Sequence, residues 1–164
     1  MKRPDIILSK IFTLEQLQKQ LSSWRITGAT VAFTNGVFDI LHEGHIASLS
    51  QAAREADFLI VAVNSDDSVK RLKGPERPVN SEYSRALLLA AMVMVDAVII
   101  FAQDTPLELI TAILPDVLVK GGDYTLEKIV GAREVMDHGG RVIINPILEG
   151  FSTTSIIQKM KTGT

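Results

Sequence analysis

Strand segments that are apolar on both faces constrain this chain more than any other feature. "FLIVAVN" (58–64) and "AVIIF" (97–101) lack the alternating polar positions of a half-solvated strand. "ATVAFT" (29–34), "DVLV" (116–119) and "RVIIN" (141–145) read as further short strands of the same buried kind. Helical segments separate them. "TLEQLQKQLSSWR" (13–25) opens with a Thr-x-x-Gln capping pattern and sets Leu14, Leu17 and Leu21 on one face. "GHIASLSQAAREAD" (44–57) and "SEYSRALLLAAMVM" (81–94, Ser81 as cap) follow. So does "TPLELITAIL" (105–114), with Thr105 as cap, Pro106 in the first turn and Glu108 completing the box. A helical stretch near 126–138 and a last helix over about 152–161 complete the pattern. Buried strands alternating with helices predict a Rossmann-like three-layer α/β/α fold with a mostly parallel central sheet. One domain over residues 1–164 is expected, with 1–28 as an N-terminal helical extension.

Composition removes several classes of function. A net charge of -2 lacks the basic face of a general nucleic-acid binder, so no nucleic-acid partner is expected. The absence of cysteine excludes disulfides, thiolate metal sites and cysteine nucleophiles. The longest apolar runs fall short of the roughly 18 residues of a membrane span, and the N-terminus lacks the pattern of a secretory signal. No membrane partner and a cytoplasmic location are the expectations.

In parallel sheets of this kind ligands sit beyond the carboxyl ends of the strands. The loops starting at Asn35, Asn64, Phe101, Lys120 and Asn145 are therefore where a site belongs. The first of them, "TNGVFDILHEGHIASL", holds two of the three histidines. Gly36 permits a tight turn, and Gly44 stands where the next helix starts, with its unpaired N–H groups. His42 and His45 can there be metal ligands, packing residues or donors to a bound phosphate. A metal site built on histidine has only the distant His138 to add.

A second cluster, "SVKRLKGPERPVNSEYSR" (68–85), brings Lys70, Arg71, Lys73, Arg77 and Arg85 together, with Gly74, Pro75 and Pro78 marking a turn. Lys70 and Arg71 fit a solvated surface as well as a site. Lys73 and Arg77 suit a polyphosphate or an anionic co-substrate, the arginine bidentately. In "VKGGDY" (119–124), Lys120 ends a strand, Gly121 allows close approach, and Asp123 can accept from sugar hydroxyls. In "EGFSTTSII" (149–157), Ser152, Thr153 and Thr154 are helix caps whose hydroxyls also suit phosphate.

The pattern "G-x-F-D-x-x-H-x-G-H" resembles the signature of the HIGH-type nucleotidyltransferase superfamily, which includes the class I aminoacyl-tRNA synthetases. The serine/threonine-rich turn near the C-terminus is similar to that superfamily's second signature. The resemblance implies a HIGH-type fold in which His42 and His45, with Lys73, serve catalysis. Asn35, Gly36, Val37, Phe38, Asp39, Gly44, Arg77, Lys120, Gly121, Asp123, Glu149, Ser152, Thr153 and Thr154 would line the nucleotide site.

"FTNGVFDILHEGH", "VAVNSDDSVKRLKGPERPVN", "TPLELITAILPDVLVKGGDY" and "GFSTTSII" stand in the order of the branch that makes ADP-heptose for bacterial lipopolysaccharide, a likeness covering roughly residues 29–160. That branch implies ATP and a sugar 1-phosphate as substrates, and Mg²⁺ carried by the nucleotide rather than by a metal site of the protein. With no kinase-sized segment ahead of it, the chain is expected to be a free-standing form. Ser155 departs from related cytidylyltransferases, which carry lysine there, so that phosphate contact would fall to Lys73 or Lys159. Other expectations stay open: a cytidylyltransferase acting on glycerol 3-phosphate, an FAD synthetase-like enzyme, or a nucleotide-binding regulatory module. The apolar run "ALLLAAMVMVDAVIIF" is a candidate border of a homodimer interface.

Overall fold

The structure, a computed structural model, describes residues 3–122, 124–146 and 153–162. In chain order the elements are α1 (Ile6–Ser9), β1 (Ile11–Phe12), α2 (Leu14–Ile26), β2 (Val31–Gly36), α3 (Glu43–Ala53), β3 (Phe58–Asn64) and α4 (Asp66–Lys73). They continue with α5 (Glu82–Ala90), β4 (Ala97–Phe101), α6 (Leu107–Ile113), β5 (Val117–Gly121), a 3₁₀ turn (Leu126–Lys128), α7 (Ala132–Asp137), β6 (Arg141–Asn145) and α8 (Thr153–Thr162).

The strands form one sheet in the order β1-β4-β3-β2-β5-β6, and every pair is parallel. The order reverses between β2 and β5, the two strands that follow opposite directions of winding from the centre. A crevice opens at that point beyond their carboxyl ends.

Both faces of the sheet are buried. Val31, Phe33, Ile60, Ala62 and Leu118 face α2, α6 and α7, packing with Leu17, Leu21, Ile110 and Val135. Ala32, Leu59, Val61, Val63, Val117 and Val119 face α3 and α5, packing with Leu49, Ala86 and Leu89. The valine, leucine, isoleucine and phenylalanine side chains among them contribute about 1.5–3 kcal/mol each on burial, which is why neither face tolerates an alternating polar residue. Aspartates seal the strand starts. Asp116 accepts the Val31 N–H at 2.8 Å, Asp57 that of Thr30 at 2.8 Å, and Asp96 that of Leu59 at 2.8 Å.

The helix starts follow their caps where the cap geometry exists. Thr13 and Gln16 close the expected box on α2, and Ser81 accepts the Ser84 N–H on α5. At α6 the expectation needs correction. Pro106, not Thr105, occupies the cap position without a side-chain bond, and Glu108 accepts from Gln103 Nε2 instead of closing a box. The helix expected over 81–94 ends at Ala90, and Lys10 Nζ donates to the carbonyls of Met92 and Val95 in the turn beyond. The basic stretch 68–85 begins inside α4, which runs through Lys73 with Ser65 as its cap, and the expected turn follows at Gly74 and Pro75. The helical stretch near 126–138 is interrupted: the 3₁₀ turn ends at Lys128 with Ile129 extended, and Gly131, with a φ of 84°, starts α7. The N-terminal residues are not wholly helical either, since β1 adds an edge strand beside β4.

Candidate active site

The site gathers at the carboxyl ends of β2 and β5. Asn35 and Gly36 end β2, and Lys120 and Gly121 end β5. Lys120 Nζ donates to Asn35 Oδ1 at 3.2 Å, joining the two strands across the switch point. Burial lowers the Lys120 pKa from its ordinary value. Gly121 lies against α3, where a Cβ would stand 3.4 Å from Ser48 Oγ.

From Gly36 the chain turns sharply into α3. Phe38 takes a φ of 50°, a left-handed conformation rare for a side chain of its size. Its ring folds back over Gly36, where a Cβ would meet it at 3.0 Å, and tilts against His45 with centroids 5.4 Å apart. Strain of this kind persists only where the surroundings enforce it. Here they do. The carbonyl of Val37 accepts from Arg85 Nη1 at 2.7 Å. Asp39 accepts the N–H groups of Val79 and Asn80 at 2.8 and 2.9 Å and Arg77 Nε at 2.6 Å. Burial opposes ionisation of Asp39, but the N–H groups of Asn80 and Val79 and the Arg77 guanidinium outweigh it, holding the carboxyl below its ordinary value.

Arg85 is itself fully buried, and completes this clamp by donating to the Asn80 carbonyl at 3.0 Å and to Asp66 at 2.7 Å. Arg85 is thereby set apart from the other cations of its cluster: it is a strut inside the wall. Neither Arg85 nor Asn80 announces this role in the sequence, where a buried arginine and a surface one read alike.

The histidines meet at the open end of α3. His42 is the cap residue, and its backbone N–H donates to His45 Nδ1 at 3.3 Å. The two rings lie 3.9 Å apart between centroids, tilted by 33°. With Nδ1 accepting, a neutral His45 carries its proton on Nε2 and can donate from there to a ligand. Burial, and to a smaller extent the neighbouring His42, brings the His45 pKa down to about 4. Burial also lowers that of His42, against the opposing charge of Glu43. A pair of neutral donors at a helix N-terminus is suited to an anion, which brings the charge that the site itself withholds.

α8 closes the site from the C-terminal side. Thr153 Oγ1 donates to the Ile40 carbonyl at 3.3 Å, tying the Ser/Thr turn to the histidine loop. A cleft of about 490 Å³ separates the basic turn from α8, lined by Lys73, Gly74, Arg77, Val79, Ile157 and Gln158. The structure thus brings Asn35, Gly36, Val37, Phe38, Asp39, His42, Gly44, His45, Lys120, Gly121 and Thr153 together, with Lys73 and Arg77 on the adjoining cleft. Lys70 pairs instead with Asp67 at 3.3 Å and Arg71 with Asp104 at 2.7 Å on the surface. Asp123, Glu149 and Ser152 lie outside the described residues, as does the side chain of Thr154. Among the described residues no three His, Asp or Glu side chains are grouped as a metal site, and no helix is long and apolar enough to cross a membrane.

Fold and site together define a nucleotide-binding α/β domain with paired histidines at a helix N-terminus. Residues 33–159 match the family model described as cytidylyltransferase-like. A protein of Hyphomonas neptunium named bifunctional protein HldE is 53% identical over 93% of this chain and 32% of its own length. The bifunctional protein HldE of Paramagnetospirillum magneticum is 50% identical over 96% of this chain and 33% of its own. The chain therefore spans about a third of the length of these curated relatives.

A crystal structure of the lipopolysaccharide core biosynthesis protein from Thermoplasma volcanium superposes with a TM-score of 0.59 at 31% identity, covering 74% of this chain and 98% of that one. A pantoate-beta-alanine ligase from Francisella tularensis has the same TM-score at 15% identity, covering 92% of this chain and 76% of that one, and so shares the fold. The chain belongs to the cytidylyltransferase-like family, and is a nucleotidyltransferase domain with the HIGH-type fold.

Proposed function

We propose that this domain transfers the adenylyl group of ATP to D-glycero-D-manno-heptose 1-phosphate, giving ADP-heptose and diphosphate. The observation that carries the chemistry is the neutral His42–His45 pair at the start of α3, 3.9 Å between centroids. The acceptor is supported by the likeness to the HldE proteins along nearly the whole chain, and to the lipopolysaccharide core biosynthesis protein over 74% of it.

In this reading an oxygen of the sugar phosphate attacks the α-phosphorus of ATP. A new P–O bond forms, the α–β bridging bond breaks, and the electron pair leaves on diphosphate. The attacking oxygen is already ionised, so no general base is required. What the protein must supply is alignment of two anions and stabilisation of charge moving onto the leaving group. His45 Nε2–H and the free N–H groups of α3 would do this at the α-phosphate. Lys73 and Arg77 would meet the β,γ-phosphates. Mg²⁺ would be held mainly by the nucleotide's phosphates and water, offsetting their charge. A cytoplasmic location belongs to the same proposal, as does a homodimer whose border includes the exposed Leu88 and Val93.

The test is diphosphate release with Mg²⁺, pairing ATP or CTP with heptose 1-phosphate or glycerol 3-phosphate. Release with ATP and the heptose alone supports the proposal; release with CTP and glycerol 3-phosphate replaces it with a cytidylyltransferase. ATP binding without release from any pair replaces it with a regulatory module.

A further inference from the structure

Two residues hold the imidazole of His45. His42 donates its backbone N–H to Nδ1 at 3.3 Å and sets its own ring 3.9 Å away between centroids. Phe38 supplies the second hold, its ring 5.4 Å from that of His45 and tilted by 57°. That separation and tilt belong to the arrangement in which the edge of one aromatic ring meets the face of another. With Nδ1 occupied, Nε2 is the nitrogen left for a ligand.

Phe38 strains its own backbone to reach this position. Among the described residues only Leu114 shares a positive φ without being glycine. Burial alone does not require it, because the buried Phe33 and Phe101 lie in strands with ordinary backbone. The residues on either side of Phe38 impose the turn. Arg85 holds the Val37 carbonyl, and Val79, Asn80 and Arg77 hold the Asp39 carboxylate.

The end of β2 makes room for the ring. Strand alternation sends position 36 toward α3, the side to which Ala32 and Phe38 also pack. A Cβ on Gly36 would lie 3.0 Å from Phe38 Cε2 and 3.1 Å from Cζ, so the ring occupies the place of a side chain there. The φ of Gly36 is not positive, and its backbone therefore does not demand glycine. The ring does.

We infer that Phe38 is a positioning residue for His45: its ring, admitted by Gly36 and held by the Asp39 clamp, fixes the imidazole with Nε2–H presented at the start of α3. The inference deepens the proposed function and rests on it for the reaction that His45 serves. Gly36 and Phe38 then work as a pair, the first being small so that the second can reach the histidine. The neutral state of His45 agrees with this. Burial is the larger cause of its low pKa, and His42 is the charged group that adds to it.

The experiment follows isotope-labelled histidine by NMR in the whole chain across pH, beside steady-state diphosphate release and the unfolding midpoint. It compares wild type with Phe38→Gly, Phe38→Leu, Gly36→Ala and the double variant Gly36→Ala/Phe38→Gly. Of the three histidine signals, the one lost in His45→Gln is the signal to follow. Glycine suits the φ at position 38, so Phe38→Gly removes the ring without adding strain. In Phe38→Gly and Gly36→Ala the His45 pKa should rise from about 4 toward the ordinary 6.5. Their kcat should fall about 10- to 100-fold, with KM for ATP within about threefold, as expected for a misplaced transition-state donor. Phe38→Leu should lie between these and wild type. Adding Gly36→Ala to Phe38→Gly should change neither quantity further, because the ring it displaces is already gone. A His45 signal that titrates as in wild type in Phe38→Gly, or in Phe38→Leu and Gly36→Ala should the glycine variant not fold, would overturn the inference. So would an effect of Gly36→Ala that persists undiminished in the double variant. A moved titration in a protein releasing no diphosphate would retain the role of Phe38 and refute the proposed function.

Discussion

Asp39 shows how one side chain fixes the loop that carries the histidines. Its carboxylate receives two backbone N–H groups and Arg77 while only 2% exposed. Asp39→Ala would leave a partly buried guanidinium and two backbone donors without their acceptor, at about 1–3 kcal/mol, measurable by urea unfolding. Because its folded pKa is depressed, this contribution is present above the ordinary carboxylate value and is lost as pH falls through the lower folded one.

His45 behaves with the opposite chemistry but the same sign. Its folded pKa of about 4 lies under the ordinary 6.5, so the unfolded chain binds the proton more readily and stability falls as pH drops through that window. Bound phosphates should raise that pKa. ATP binding is then expected to take up protons between about 4 and the raised value, and to tighten as pH falls within it. Calorimetry in buffers of different ionisation enthalpy reads the uptake directly, and His45→Gln should reduce it. The spacing of His42 and His45 made the pair legible in the sequence. The Asp39 clamp was not, because nothing in "RPVN" distinguishes residues that receive a buried carboxylate from residues that grip a ligand.

At the level of elements, apolar runs made β2 to β5 readable because most of each is buried on both faces, while β6, at the sheet edge, kept an apolar run although it is only half-buried. β1 escaped notice since two residues carry no periodicity, and its place is fixed by pairing with β4. α4 was readable but unread: Ser65 caps it, and Asp66 and Asp67 suit its first turn. The nearby glycine and prolines, together with a run of cations, drew the segment toward a loop.

Gly140 tests the packing between β6 and its neighbours. A Cβ there would stand 2.7 Å from Val135 Cγ1 and 2.9 Å from the Asp116 carbonyl oxygen. The backbone oxygen cannot rotate away, so Gly140→Ala should destabilise the fold by about 1–3 kcal/mol, read as a lower thermal midpoint. Ordinary stability in that variant would contradict the close approach of the 115–116 turn.

For the whole molecule, the order β1-β4-β3-β2-β5-β6 explains why motifs far apart in sequence act together. The histidine loop, Lys120 and Thr153 converge because parallel strands deliver every following loop to one edge. The sequence pointed to that edge through the alternation of strands and helices. It did not assign faces, since only the register of Asn35 and Gly36 shows which residues look toward α3 and which toward α6.

The proposed function requires that the α3 end with its two histidines performs transfer rather than binding alone. The most direct measurement is steady-state diphosphate release by His45→Ala beside wild type, with the unfolding midpoint of each recorded. Loss of a donor to the charge developing in the transition state should lower kcat about 10²- to 10³-fold while the protein stays folded. Turnover near the wild-type value in a folded variant would contradict the claim.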